Sequence, residues 1–245
     1  RLSLVGSEMC IRDSFRSVPM QELLNEAKRL ASEGVKELVL VAQETTLYGK
    51  DLTGENQLPL LLHELCKIEG IEWIRLLYCY PEEITDELIK VIKTEEKVCN
   101  YIDMPIQHSE NRILQRMGRR TSREDLVAVI KKLRKEIPDI TIRTTLITGF
   151  PGESQEDHEG LMNFVEECQF DRLGVFTYSP EEDTLAATFE DQIDEEVKEE
   201  RRDELMSLQQ EISYEHTQQL VGKTIKVMVE GYLFEDDIYV GRSYM

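Results

Sequence analysis

Residues 121–180, TSREDLVAVIKKLRKEIPDITIRTTLITGFPGESQEDHEGLMNFVEECQFDRLGVFTYSP, decide the fold. Leu126, Val129, Ile130 and Leu133 recur at helical spacing, and Thr121 to Glu124 reads as a capping box in front of them. Ile142 to Ile147 is a short β-branched run that reads as a strand. Ser154 then opens a second helix carrying Leu161, Phe164 and Val165, and Arg172 to Tyr178 reads as another strand. Helix, strand, helix and strand in this order imply right-handed crossovers and a parallel sheet.

The same rhythm extends toward the N-terminus. Met20, Leu23, Leu24, Ala27, Leu30 and Ala31 predict a helix, and Leu38 to Val41 is a continuous apolar run suited to a strand covered on both faces. A helix around Leu61, Leu62 and Leu65 precedes a strand over Trp73 to Tyr78. Thr85 caps a helix holding Leu88, Ile89, Val91 and Ile92, and Tyr101 to Ile106 is the next strand. Five strands alternating with helices fit a partial barrel or an open doubly wound sheet, with chemistry at the carboxyl ends of the strands.

The two ends of the chain read differently. Residues 1–14 carry no period and are expected to be a non-native leader. After Pro180 an acidic stretch leads to a long helix through Val197, Leu205, Leu208 and Ile212. Past Gly222 the period becomes two, with Ile225, Val227 and Val229 alternating with polar neighbours, and a second extended stretch covers Val240 to Tyr244. This predicts a barrel unit over residues 15–219 and the start of a small β domain over 220–245.

Composition narrows the function. The chain has 245 residues and a formal net charge of -20. That balance argues against nucleic acid as a direct substrate and suits a basic protein partner. The five cysteines include no CxxC pair, which points to a reducing cytoplasm rather than a disulfide framework. Cys66, Cys79, Cys99 and Cys168 fall in apolar segments and read as small core side chains. No apolar run reaches the length of a membrane span.

Four strand exits carry the polar groups. They are Gln43-Glu44-Thr45-Thr46, Gln107-His108-Ser109, Thr148 to Glu153, and Tyr178 to Glu182. Parallel strands bring such exits to one rim. Gly149 and Gly152 permit a tight turn or the approach of a phosphate, although Glu153 would repel an anion there.

The motifs VAQETTLYGKDL, WIRLLYCYPEEIT, YIDMPIQHSENRILQRMGRR, RTTLITGFPGES, FDRLGVFTYSPEEDT, LMSLQQEIS and YVGRSYM occur in this order. Together they resemble the radical S-adenosylmethionine (SAM) methylthiotransferase family, in its ribosomal-protein branch. The resemblance implies a partial (βα)6 barrel lacking its first strand, followed by the start of a TRAM β domain. It implies SAM and two [4Fe-4S] clusters in the intact enzyme. The ligands of those clusters, a CxxxCxxC loop and three further cysteines, would lie outside this chain, leaving the fragment inactive alone. It also implies a 5′-deoxyadenosyl radical that takes hydrogen from the β-carbon of an aspartate on small-subunit ribosomal protein S-twelve.

By motif position, Gln43, Glu44 and Arg143 would hold the amino-acid end or ribose of SAM. The turn from Gly149 through Gly152 to Glu153 would approach the adenine, and Gln107, His108 and Ser109 would line the same rim. Tyr178, Glu181 and Glu182 would face the substrate. The tRNA-modifying branch typically carries a basic residue at the last exit, where this chain has Glu181, Glu182 and Asp183. A tRNA adenosine methylthiotransferase and a non-catalytic acidic binding module are the alternatives.

Overall fold

The computed structural model describes residues 2–3, 15–182 and 184–245. Cys10 and Asp183 therefore lie outside the described residues, as does most of the expected leader. The main sheet runs in the strand order β1 (Leu2–Ser3), β2 (Glu37–Val41), β3 (Trp73–Leu76), β4 (Val98–Asp103), β5 (Thr141–Thr148) and β6 (Arg172–Thr177). Every neighbouring pair is parallel. The strand order never reverses, so the sheet lacks the switch point of a doubly wound fold and is an arc of barrel staves. Leu2–Ser3 pair with Leu40 and Val41 at the edge where no strand was expected.

Helices α1 (Met20–Ser32), α3 (Leu58–Cys66), α4 (Asp86–Thr94), α6 (Arg123–Glu136) and α7 (Gln155–Cys168) alternate with these strands. Two short helices, α2 (Lys50–Thr53) and α5 (Asn111–Arg116), follow the exits of β2 and β4. Both were missed because four and six residues are too few to show a period. The α6 cap also sits one residue later than its sequence suggests. Ser122 accepts from Asp125 N, and the Asp125 carboxylate answers with Ser122 N. Asp is as good a reciprocal partner here as the Glu124 of the expected box.

β5 shows how the sheet divides inside from outside. Ile142, Thr144, Leu146 and Thr148 are buried, whereas Arg143, Thr145 and Ile147 are only half-buried. The first set packs under the helices, joining Leu40, Ile74, Ile102, Leu161 and Phe164 in one core. The second set faces the hollow of the arc. Thus one face supplies the burial that stabilises the fold, at roughly 25 cal/mol per Å², and the other is left for polar chemistry.

The long helix α8 (Glu195–Gln218) closes the β6 side. Its buried stripe is Lys198, Arg201, Leu205, Gln209 and Ile212, at spacings of three and four. The chain ends in an antiparallel hairpin of β7 (Met228–Leu233) and β8 (Ile238–Arg242). Ile225 and Val227 precede β7 rather than forming part of it, so the strand begins later than the alternating pattern suggested.

Candidate cofactor and substrate site

The exit of β2 turns Glu44 inward while Gln43 stays exposed. Glu44 is 7% exposed. Its Oε1 accepts from Thr46 N at 3.0 Å and Tyr80 N at 3.4 Å, and contacts the Thr46 hydroxyl. Its Oε2 is buried and has no hydrogen-bond partner. Burial pushes the carboxyl up to about 8; donors on Tyr80 and Thr46 pull it down, while Glu82 and Glu83 add to the rise. An orphaned, reluctant carboxylate of this kind fits an incoming ammonium group, whose charge would offset the penalty of ionisation.

The turn after β5 is built around Glu153. Gly149 and Gly152 hold φ of 70° and 81°, a region where a Cβ is strained. A Cβ on Gly149 would also run into the Lys198 side chain. Glu153 is buried, and its Oε2 accepts from Gly149 N at 2.8 Å. Its Oε1 accepts from Arg201 Nη1 at 2.8 Å, and His108 Nε2 stands 3.5 Å from Oε2. Burial would raise this carboxyl, but His108, Arg201 and the Gly149 amide together hold it below the usual range. Its bonding capacity is spent inside the turn. Glu153 therefore shapes the loop rather than reaching a ligand.

His108 and Ser109 are likewise fully buried. His108 Nδ1 accepts from Glu110 N, and Ser109 Oγ donates to Glu110 Oε1 at 3.1 Å. Of that trio only Gln107 lines the rim cavity, with a positive φ of 73° that lets its carbonyl accept from Ile147 N. The cavity measures about 610 Å³ and is walled by Gln107, Thr145, Ile147, Phe150, Phe176 and Tyr178. Tyr178 OH is buried without a partner. Glu181 and Leu185 stand at the mouth, and Glu182 is exposed outside it.

Two residues missed at the sequence level hold this rim together. Lys198 Nζ donates to Tyr178 O at 3.0 Å and to Glu195 at 3.1 Å. Arg201 Nη1 donates to Glu153 O and Oε1. One helix thus clamps the exits of β5 and β6. Extending the Leu205–Ile212 stripe backward by helical steps lands on both cations, and that was the available signal.

Arg143 sits lower. Its Nη1 donates to Asp103 Oδ1 at 2.7 Å, and Asp103 Oδ2 accepts from Tyr78 N. Tyr78 O in turn accepts from Thr45 N, so Arg143 joins the Glu44 segment through backbone contacts. Arg143 and the rim cavity are separate features of one hollow.

The described cysteines do not fit an iron–sulfur cluster. Among the described residues no group of three or more His, Cys, Asp or Glu side chains is placed to hold a metal. Burial holds the thiols of Cys66, Cys79, Cys99 and Cys168 in the protonated form, whereas cluster ligation needs thiolates. Among the described residues no helix is long and apolar enough to cross a membrane.

Comparison with known proteins agrees with this geometry. The chain is 61% identical over 235 residues to a Lachnoclostridium phytofermentans protein named "Ribosomal protein uS12 methylthiotransferase RimO", covering 96% of this chain and 53% of the relative. A Clostridium perfringens protein of the same name is 55% identical, with coverage of 96% and 52%. The chain spans about half the length of these curated relatives. Among solved structures, Escherichia coli coproporphyrinogen III oxidase, described as a radical SAM enzyme, shares the fold. Its TM-score is 0.61 at 18% identity, over 79% of this chain and 46% of that one. Methylornithine synthase gives 0.57 at 16% identity, over 81% and 56%. The model of the Radical SAM superfamily matches residues 8–165, well over half of the sequence, and the chain belongs to that superfamily.

Proposed function

We propose that the intact enzyme is a cytoplasmic methylthiotransferase that uses SAM and two [4Fe-4S] clusters to modify the β-carbon of an aspartate on ribosomal protein uS12. The observation carrying this reading is the close similarity to relatives of that name; an orphaned Glu44 oxygen at the exit of β2 and a 610 Å³ cavity at the exits of β4 to β6 support it. When bound, SAM supplies the methyl group and the radical chemistry of the superfamily. Glu44 would receive its ammonium group, with Gln43 beside it. The cavity beneath the Gly149–Gly152 turn would take the nucleoside, and Phe150, Ile147 and Phe176 would exclude water from it. The cluster thiolates are not among the described cysteines, so no step is routed through them.

Glu181 at the mouth and Glu182 exposed just outside it favour a basic protein over an RNA backbone, since like charges there would repel phosphate. The test is to reconstitute the full-length gene product anaerobically with iron and sulfide and to offer uS12 and tRNA separately. Methylthiolation of an aspartate on uS12 is expected. Modification of tRNA alone would reject the protein-substrate reading. The isolated chain is expected to bind S-adenosylhomocysteine measurably by calorimetry yet to turn over nothing.

A further inference from the structure

Below the rim cavity the hollow holds a second space of about 610 Å³, lined by Arg75, Tyr101, Arg143, Arg172, Gly174 and Arg242 among others. Four guanidinium groups meeting in one space are unexpected in a chain of net charge -20. Most are accounted for. Arg75 pairs with Glu37 at 2.9 Å and donates to Tyr244 O at 2.6 Å. Arg242 pairs with Glu37 and Glu230. Arg143 pairs with Asp103 at 2.7 Å.

Arg172 is the exception. Its Nη1 donates to the backbone carbonyl of Asp171 at 3.0 Å, and among the described residues no carboxylate lies within ion-pair distance of it. It is also the registered neighbour of Arg143, one strand away on the same face. Like charges placed side by side across strands are destabilising, and the single carboxylate of Asp103 serves only one of the two. Next on that face of β6 is Gly174, where an added Cβ would meet nothing nearer than the Phe176 ring at 3.8 Å. The glycine leaves room above Arg172, and Tyr101 lines the same space. Burial, reinforced by Asp103, pushes that phenol up to about 12, so it stays a donor.

We infer that Arg172, with Arg143 beside it, forms a carboxylate-binding site in the lower hollow that holds the side chain of the target aspartate. The inference rests on the reading of an aspartate-bearing protein substrate and names the group that would select it. Planar guanidinium groups suit a carboxylate because two N–H donors can meet its two oxygens. Arg143 lies two residues below Thr145 on β5, roughly 7 Å of strand rise, and Arg172 lies four below Phe176 on β6, roughly 13 Å. A carboxylate held here would direct the carbons that bear it toward that cavity. An uncharged amide would leave Arg172 uncompensated, since Asp103 already serves Arg143.

The test is an NMR titration of the chain with N-acetyl-aspartate N-methylamide, its asparagine counterpart and inorganic phosphate. The aspartate compound is expected to bind saturably, with the asparagine compound weaker by roughly tenfold, as loss of a charge-assisted hydrogen bond implies. Arg172→Met should abolish that preference while melting like the parent, and Arg172→Lys should retain part of it. Equal binding of the two amino acids, an undiminished preference in Arg172→Met, or phosphate binding more tightly than aspartate would each overturn the assignment. Methylthiolation of tRNA instead of uS12 by the full-length enzyme would sink the substrate reading alone, because the titration does not depend on turnover.

Discussion

Replacing Glu44 by glutamine isolates the cost of a buried, under-satisfied carboxylate. Folding raises this carboxyl from an ordinary 4.5 to about 8. The folded protein therefore holds more protons than the unfolded chain between those values, and its stability falls as pH rises through that window. Below pH 4.5 both states are protonated and the term vanishes. Above pH 8 both are ionised and the full penalty is present, with an upper bound of roughly 5 kcal/mol at 1.36 kcal/mol per unit. Glutamine keeps the shape and does not titrate. The difference in unfolding free energy between Glu44→Gln and parent, from urea melts at pH 5 to 8.5, should start near zero. It should then grow in favour of the variant by a few kcal/mol. Subtracting the two curves cancels every other titrating group. The same variant should lose most of its affinity for S-adenosylhomocysteine, because the ammonium no longer meets a carboxylate. A flat difference curve, or a variant less stable than the parent at pH 8, would refute both the burial argument and the role assigned to the orphaned oxygen.

Arg201→Met should destabilise the chain by about 3–5 kcal/mol in urea melts, because it leaves Glu153 buried without its cation. Adding Glu153→Gln to that variant should recover part of the loss. Gly149→Ala should cost on the order of 1–3 kcal/mol by the same assay, since its Cβ meets both a positive φ and the Lys198 side chain. Phe164→Ala should cost about 3–5 kcal/mol, as this fully buried ring packs beside Phe170 in the turn between α7 and β6. Tyr178→Phe should leave stability unchanged or raise it by about 1 kcal/mol, because the deleted hydroxyl is buried and unpaired. Its effect should appear in calorimetric ligand binding instead.

The fold was legible wherever burial on one face imposed a period. Leu126, Ile130 and Leu133 announce α6, and Ile142 to Ile147 announce β5, because the core side of each must be apolar whatever the other side does. Legibility failed at two lengths. Helices of four and six residues, such as α2 and α5, are stabilised by their surroundings rather than by a stripe of their own. In the final hairpin, Val229, Leu233, Ile238 and Val240 are exposed, so alternation there marks no buried face and could not locate the strand start.

The site was legible in its address but not in its wiring. Parallel alternation puts the polar exits at one end of the sheet, and of these Gln107 and Tyr178 line one cavity. Which side chains stay available at that rim depends on who has already bonded to them, and spacing carries no such information. Glu153 sits in the exposed-looking GFPGE turn, yet Arg201, 48 positions away, absorbs it. His108 disappears beneath the same turn, whereas Glu44 keeps one oxygen unspent. The distinction is set by α8, which follows the last barrel strand and carries two cations back to the exits of β5 and β6. A carboxylate that is neutralised from within builds the loop, and one that is not can receive a cation from outside. By that criterion Glu44 keeps a negative charge for an incoming cation, and Arg172 has no carboxylate partner among the described residues. A zwitterionic cofactor and an acidic substrate side chain are the chemistry such a pair is suited to sort.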